Sequence, residues 1–336
     1  MTIAIIGTGR IGALLEKDKL RKKPCTHLGA IVHLSKSEIP VKNIYLCDLQ
    51  EQRLDEVEKY IKIDNPDIHI IKYTDYEKMF QNNTAPDIAV IAADTKVHYF
   101  ILMAAIQRGI KKIVVEKPIT MDRKEAETVK KTAIQHGVKI WVNYERRFHP
   151  KYSTLKKQIE STKPYGKVLY YRGLFTTSQK KLFANDDQEG VLLHDTTHLL
   201  DLAYYLFGPQ NSSLNGYPKT KDDLQKSFTL HCTHQNNISG EITTITQVPY
   251  FHFELEILFE KGRIRIGNGF THLEKSIPSP YYDGFTSLGK IENVENSSEN
   301  IMDNPFIRLY LSVYKGNYDQ QLLKDACQNI ITLTEE

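Results

Sequence analysis

Through the first third of the chain, short apolar runs alternate with longer amphipathic stretches. Ile3–Ile6, Asn43–Cys47, Ile68–Tyr73, Asp87–Ala93, Lys112–Val115 and Lys139–Tyr144 read as strands. The run at Asp87–Ala93 is almost wholly apolar, the mark of a strand buried on both faces. Leu49–Ile61, Tyr76–Gln81, Val97–Arg108 and the stretch opening at the capping pattern Asp122-x-x-Glu125 read as helices. This alternation predicts a parallel sheet with right-handed crossovers. A first helix is expected over Ile11–Leu20 and a short second one over Thr26–Leu34; together they lengthen the first crossover.

After Pro150 the pattern changes. Lys167–Gly173 alternates as a strand does, a polar loop covers Asn185–Gly190, and an apolar helix is expected from Val191 to Phe207. Ser227–His234, Ile238–Val248 and His252–Phe259 read as strands, and Glu260-Lys261-Gly262 turns the last of them into Arg263–Ile266. Successive hairpins imply an antiparallel sheet. Thr271–Asn300, rich in Ser, Pro, Asn and Tyr, reads as a long loop, and Pro305–Tyr314 and Gln320–Thr332 close the chain as helices.

Bulk properties narrow the function classes. A length of 336 residues suits two domains, with the boundary expected between 1–146 and 147–336. Hydrophobic content of 40% and charged content of 25% are ordinary for a soluble globular protein. A net charge of +3 gives no argument for nucleic acid or membrane as partner. Cys25, Cys47, Cys232 and Cys327 show no metal or redox spacing and read as reduced thiols. No metal site is expected. Met1 leads straight into the first strand, so the expected location is cytoplasmic.

The chemistry starts at Gly7-Thr8-Gly9-Arg10-Ile11-Gly12, directly after the first strand. A strand that breaks into G-x-G-x-x-G opens a dinucleotide-binding unit. The first glycine allows the turn, the second lets backbone N–H groups approach a pyrophosphate, and the third lets the next helix pack closely. Asp48 ends the second strand, where an acid bonds ribose hydroxyls and repels a 2′-phosphate, favouring NAD over NADP. Asp48, Asp94, Thr95 and Glu116 belong to the C-terminal ends of predicted strands, where such sheets bind ligands, and are cofactor-binding candidates with the glycine turn; His98, early in the following helix, and Lys117 are counted with them. Glu116-Lys117-Pro118 could aim a lysine at a sugar hydroxyl above the nicotinamide. Further on, His194, His198 and Asp201 fall at i, i+4 and i+7, one polar stripe on an otherwise apolar helix. Such a stripe must find partners or face a cleft.

Three signatures in order carry a resemblance to the Gfo/Idh/MocA family: Gly7-x-Gly9-x-x-Gly12, Glu116-Lys117-Pro118, and Gly190 to Asp201. Arg147-Phe148-His149-Pro150 is similar to the start of that family's second domain. The resemblance implies an α/β chain with an N-terminal Rossmann-type parallel sheet and a C-terminal α+β domain on a large, mainly antiparallel sheet. It implies an NAD(H)-dependent oxidoreductase exchanging hydride with a secondary alcohol or ketone of a sugar, cyclitol or sugar derivative. Lys117 and His198 would be catalytic. Tyr144, Arg147, His194 and Asp195 would contact substrate, with His194 standing where the family has an acid. A homodimer or homotetramer joined through the C-terminal sheet is expected. Two rival activities are an NAD-dependent glycosidase acting by transient oxidation and a non-catalytic sensor of cofactor or sugar.

Overall fold

The computed structural model describes residues 1–178, 190–211, 227–291 and 300–334. Most of the expected polar loop, 185–189, lies outside these residues. The chain divides into two compact units, Met1–His149 with Ile301–Glu336, and Pro150–Asn300.

The first unit is built on six strands: β1 (Thr2–Ile6), β2 (Asn43–Cys47), β3 (His69–Tyr73), β4 (Ile88–Ile91), β5 (Lys112–Val115) and β6 (Lys139–Val142). All are parallel, in the order β3-β2-β1-β4-β5-β6. The order reverses between β1 and β4, so the ligand crevice of this topology opens at their C-terminal ends. Both central strands are almost wholly apolar, and β4 has no exposed residue. The helices are α1 (His27–Ser35), α2 (Glu51–Asp64), α3 (Tyr76–Asn82), α4 (His98–Gln107), α5 (Arg123–Gln135) and the short α6 (Glu145–Phe148). Thr26, Asp75 and Asp122 cap α1, α3 and α5 by accepting from backbone N–H groups, as their position before each apolar pattern requires.

The expected first helix over Ile11–Leu20 is not formed. Only a single 3₁₀ turn, Leu14–Lys17, lies there. The helix that follows the glycine turn in space is α1, whose His27 and Leu28 N–H groups donate to the carbonyls of Ile11 and Gly12 at 3.1 and 2.9 Å. Residues 13–26 are therefore an excursion from an otherwise ordinary strand–turn–helix. Glu16 closes it, its Oε1 accepting from the Cys25 N–H at 2.7 Å and the Thr26 hydroxyl at 2.9 Å. That carboxylate occupies the space a side chain on Gly29 would need, since a Cβ there would fall 2.1 Å from Glu16 Oε1.

The second unit opens with α7 (Pro150–Ser161) and β7 (Val168–Thr176). A π-helical turn, Leu192–Thr196, leads into α8 (Thr197–Phe207). The remaining strands are β8 (Gln210–Asn211), β9 (Ser227–His234), β10 (Ser239–Ile245), β11 (His252–Phe259), β12 (Gly262–Gly267), β13 (Phe270–Pro278) and β14 (Thr286–Ile291). They form an eight-stranded sheet, β14-β13-β12-β11-β7-β10-β9-β8, antiparallel except between β7 and β10. The expected long loop after Thr271 is instead the hairpin of β13 and β14. Loop-like composition misled there because few of its side chains are buried, so no apolar alternation betrays the strands. Residues 292–299 lie outside the described ones.

The last two helices, α9 (Pro305–Lys315) and α10 (Gln320–Leu333), were expected in the second domain with everything after 147. They belong to the first unit. The reason is a set of buried partners. Arg147 on α6 donates from Nη2 to Asp325 Oδ2 of α10 at 2.7 Å, and Gln321 donates to the other oxygen at 2.6 Å. Both ionic side chains are about as buried as the core, at 5% and 4% exposure. Breaking one side of such a pair leaves a buried charge and costs about 3–5 kcal/mol. Arg147→Ala should therefore lower unfolding free energy by roughly that amount in urea titrations. Arg147→Met with Asp325→Leu should recover most of it.

Candidate active site

At the C-terminal ends of β1, β2, β4 and β5 the first unit gathers its polar groups. Gly7 takes φ +92°, and a Cβ there would lie 2.4 Å from the backbone of Ala92 and Ala93. A Cβ on Gly12 would fall 2.1 Å from the Gly7 carbonyl. Both glycines are demanded by the fold. Gly9 differs, because a Cβ there meets nothing within 4 Å. Its backbone borders open space, as a pyrophosphate cradle requires. Arg10 is exposed and Ile11 half-buried beside it.

Thr8 is wholly buried and donates both its N–H and its hydroxyl to Asp48 Oδ2, each at 2.9 Å. It therefore holds Asp48 rather than meeting a ligand itself, which corrects its place among the cofactor contacts. Asp48 Oδ1 accepts from the Gln50 N–H at 3.0 Å, with Arg53 Nη1 at 3.5 Å. Asp48 is thus tied to the glycine turn. Asp94 is exposed and caps the next turn through the Lys96 N–H, while Thr95 is buried.

His98, expected to touch the cofactor, is wholly buried. Its ring nitrogens lie 3.0 Å from the Pro118 carbonyl and 3.1 Å from the Ala93 carbonyl. It ties the segment after β5 to the segment after β4, so its role is to fix the Glu116-Lys117-Pro118 turn. The Lys117–Pro118 bond in that turn is cis. Lys117 is half-buried and Glu116 nearly buried.

Glu116 belongs to a network that sequence reasoning missed. Its Oε1 receives Nδ2 of Asn143 at 2.6 Å and stands 2.8 Å from Nε2 of His27, whose Nδ1 lies 2.8 Å from the Tyr310 hydroxyl. His27 opens α1, Asn143 follows β6 and Tyr310 sits on α9. The one local signal was Thr26-His27 at a helix start; nothing in the sequence links either residue to Tyr310. Burial raises the Glu116 carboxyl, and the hydrogen bond and charge of His27, the hydrogen bond from Asn143 and the Lys117 charge more than offset it, leaving it below the ordinary carboxylate value.

Of the substrate candidates in this unit, Arg147 is buried and paired with Asp325, and Tyr144 is buried at 1% exposure.

In the second unit, His194 and Asp195 lie on the π-helical turn, and His194 Nδ1 is 2.7 Å from Asp195 Oδ1. His198 is half-buried on the first turn of α8, and Asp201 is buried. The π turn shifts His194 around the axis relative to His198, so the one-face stripe expected from a regular helix is broken there. Among the described residues no group of three His, Cys, Asp or Glu is placed to hold a metal ion.

Comparison with known proteins agrees with this geometry. Residues 1–144 match the family model GFO_IDH_MocA, described as an oxidoreductase family with an NAD-binding Rossmann fold. The chain is 25% identical over 275 residues to a scyllo-inositol 2-dehydrogenase (NAD(+)) of Bacillus subtilis, covering 79% of this chain and 73% of that one. It is 30% identical over 201 residues to the scyllo-inositol 2-dehydrogenase (NADP(+)) IolW of the same organism, covering 58% and 49%. The fold is shared with a solved levoglucosan dehydrogenase in complex with NADH and levoglucosan. The TM-score is 0.73 at 14% identity, over 99% of this chain and 95% of that one.

The two glycine positions separate folding from binding. Gly9→Val should leave the melting temperature nearly unchanged while weakening NADH binding by at least about tenfold, read by quenching of Trp141 fluorescence. Gly7→Ala should lower the melting temperature even without cofactor.

Proposed function

We propose that the chain, whose residues 1–144 match the model of the NAD-binding Gfo/Idh/MocA oxidoreductase family, is a member of that family and a dehydrogenase of secondary alcohols on a cyclitol or sugar ring. One observation carries the cofactor half of this reading: a glycine turn bordering open space, with Asp48 tied to it and Glu116-Lys117 following β5. The inositol dehydrogenases among its relatives support the substrate class.

Backbone N–H groups at Gly9 and Arg10 would hold the pyrophosphate, and Asp48 and Glu116 would accept from cofactor hydroxyls. Bound NAD supplies the hydride acceptor. The remaining work falls to side chains of this chain. Lys117 donates a hydrogen bond to the reacting oxygen and stabilises the negative charge that develops there. His198 takes the hydroxyl proton on oxidation and returns it on reduction, since imidazole titrates nearest neutrality. His194 and Asp195, bonded to each other, orient a further ring hydroxyl of the substrate.

Absorbance at the nicotinamide band, with NAD and a panel of inositols and aldoses, tests the activity. Lys117→Met should lower kcat by about a hundredfold to a thousandfold. Its NADH affinity should stay within about threefold of the parent. Wild-type turnover in that variant would remove Lys117 from the mechanism. His198→Asn should lower kcat by about a hundredfold or more, with the neutral-range dependence of kcat on pH lost.

A further inference from the structure

Glu116 cannot be understood from its own strand. A carboxylate only accepts hydrogen bonds, so the His27 nitrogen facing Oε1 at 2.8 Å carries a proton and donates. The other ring nitrogen lies 2.8 Å from the Tyr310 hydroxyl, which can donate to it or accept from it according to the state of the ring. Burial, reinforced by the Glu116 charge, pushes the Tyr310 phenol well above its ordinary value, so that hydroxyl keeps its proton. The three side chains thus form one chain of contacts, Tyr310 to His27 to Glu116, in which His27 donates to the carboxylate. His27 and Tyr310 are both wholly buried, and neither is exposed to a ligand.

The two carboxylate oxygens are treated differently. Oε1 takes both protein donors, His27 and Asn143. No hydrogen bond among the described residues ends on Oε2, and it is not one of the fully buried polar atoms lacking a partner; the side chain's 10% exposure leaves this oxygen open to solvent or to a ligand. The arrangement reaches the site from afar. The start of α1 is held by the excursion through Glu16, and Asn304 both caps α9 and donates to the Pro24 carbonyl at 2.7 Å. The elements bearing His27 and Tyr310 are therefore pinned to each other, with Phe306 edge-on to the His27 ring at 5.3 Å.

We propose that His27 is a positioning residue: it locks one oxygen of Glu116, with Tyr310 fixing the ring behind it, so that the second oxygen is presented to a hydroxyl of the bound dinucleotide. This rests on the reading of Glu116 as a cofactor contact. His27 touches neither cofactor nor substrate and acts only through Glu116.

The charged and titratable groups facing Glu116 are His27 from α1, Tyr310 from α9 and its neighbour Lys117; Asn143 at the end of β6 is the neutral donor. With these in place the carboxyl lies below its ordinary value, so it stays ionised throughout the neutral range and NADH binding should be flat there. Without the His27 donor, the first of the groups opposing burial is gone and the carboxyl moves up. The acceptor is then lost as pH falls.

NADH binding to the full chain, followed by fluorescence between about pH 6 and about pH 9, tests this. His27→Leu should bind about tenfold more weakly at the acid end than at the alkaline end, where the parent shows no trend. His27→Gln, which keeps a donor, should restore most of the flat profile. In the Glu116→Gln background, His27→Leu should add no pH dependence. A His27→Leu profile parallel to the parent's overturns the proposal, as does a His27→Gln profile matching that of His27→Leu. Should His27→Leu not fold, Tyr310→Phe gives the same test with a smaller shift in the same direction, and a flat profile there overturns the proposal. If Glu116→Gln alone binds NADH as the parent does, it is the reading of Glu116 as a cofactor contact that fails, whatever His27 does.

Discussion

An ionised carboxylate removed from water has to be met by donors, and the first unit is organised by how it meets three of them. Asp325 is satisfied on both oxygens, by Arg147 and Gln321, and so serves only to bind α10 to α6. Asp48 is also engaged on both oxygens, yet its partners are the glycine turn and the start of α2. Its position is thereby set relative to the pyrophosphate cradle. Among the described residues, Glu116 accepts hydrogen bonds on one oxygen alone. The same desolvation constraint thus gives a staple, a preset recognition group and a half-open acceptor, and the difference lies in how many donors the surroundings provide.

The unusual gap between the glycines and Asp48 has a simple geometry. The crossover is of ordinary form because α1 docks onto the carbonyls of Ile11 and Gly12, and the additional residues leave and return beside that junction. A carboxylate, Glu16, holds the base of the excursion, and Lys23 folds it back through the carbonyls of Leu15 and Asp18, at 2.7 Å each. The insertion thereby leaves the dinucleotide turn undisturbed and brings His27 to the opening of the helix.

The parallel sheet was legible because buried strands such as Ile88–Ile91 have no polar alternative. The glycine turn and Asp48 were legible because their chemistry is local in sequence. What could not be read were the pairings made across long separations. Thr8 and Asp48, Arg147 and Asp325, and His27 and Tyr310 are joined by geometry that no periodicity records. Nor could the sequence show that Arg147, Tyr144 and His98 are buried, with Arg147 paired to Asp325 and the His98 ring set against the Pro118 carbonyl. The hairpin of β13 and β14 was missed for the opposite reason, being too exposed to show a strand's alternation.

The first unit is discontinuous, its last two helices arriving only after the whole of the second unit has been threaded. During synthesis the nascent first unit emerges with its sheet complete, yet Arg147 has no Asp325 and His27 no Tyr310. The ribosome must release about half the chain more before these vacancies close. The unit that carries the nucleotide turn is therefore the first to begin folding and the last to finish, and in the interval it offers chaperones an unhealed surface where α9 and α10 will later lie.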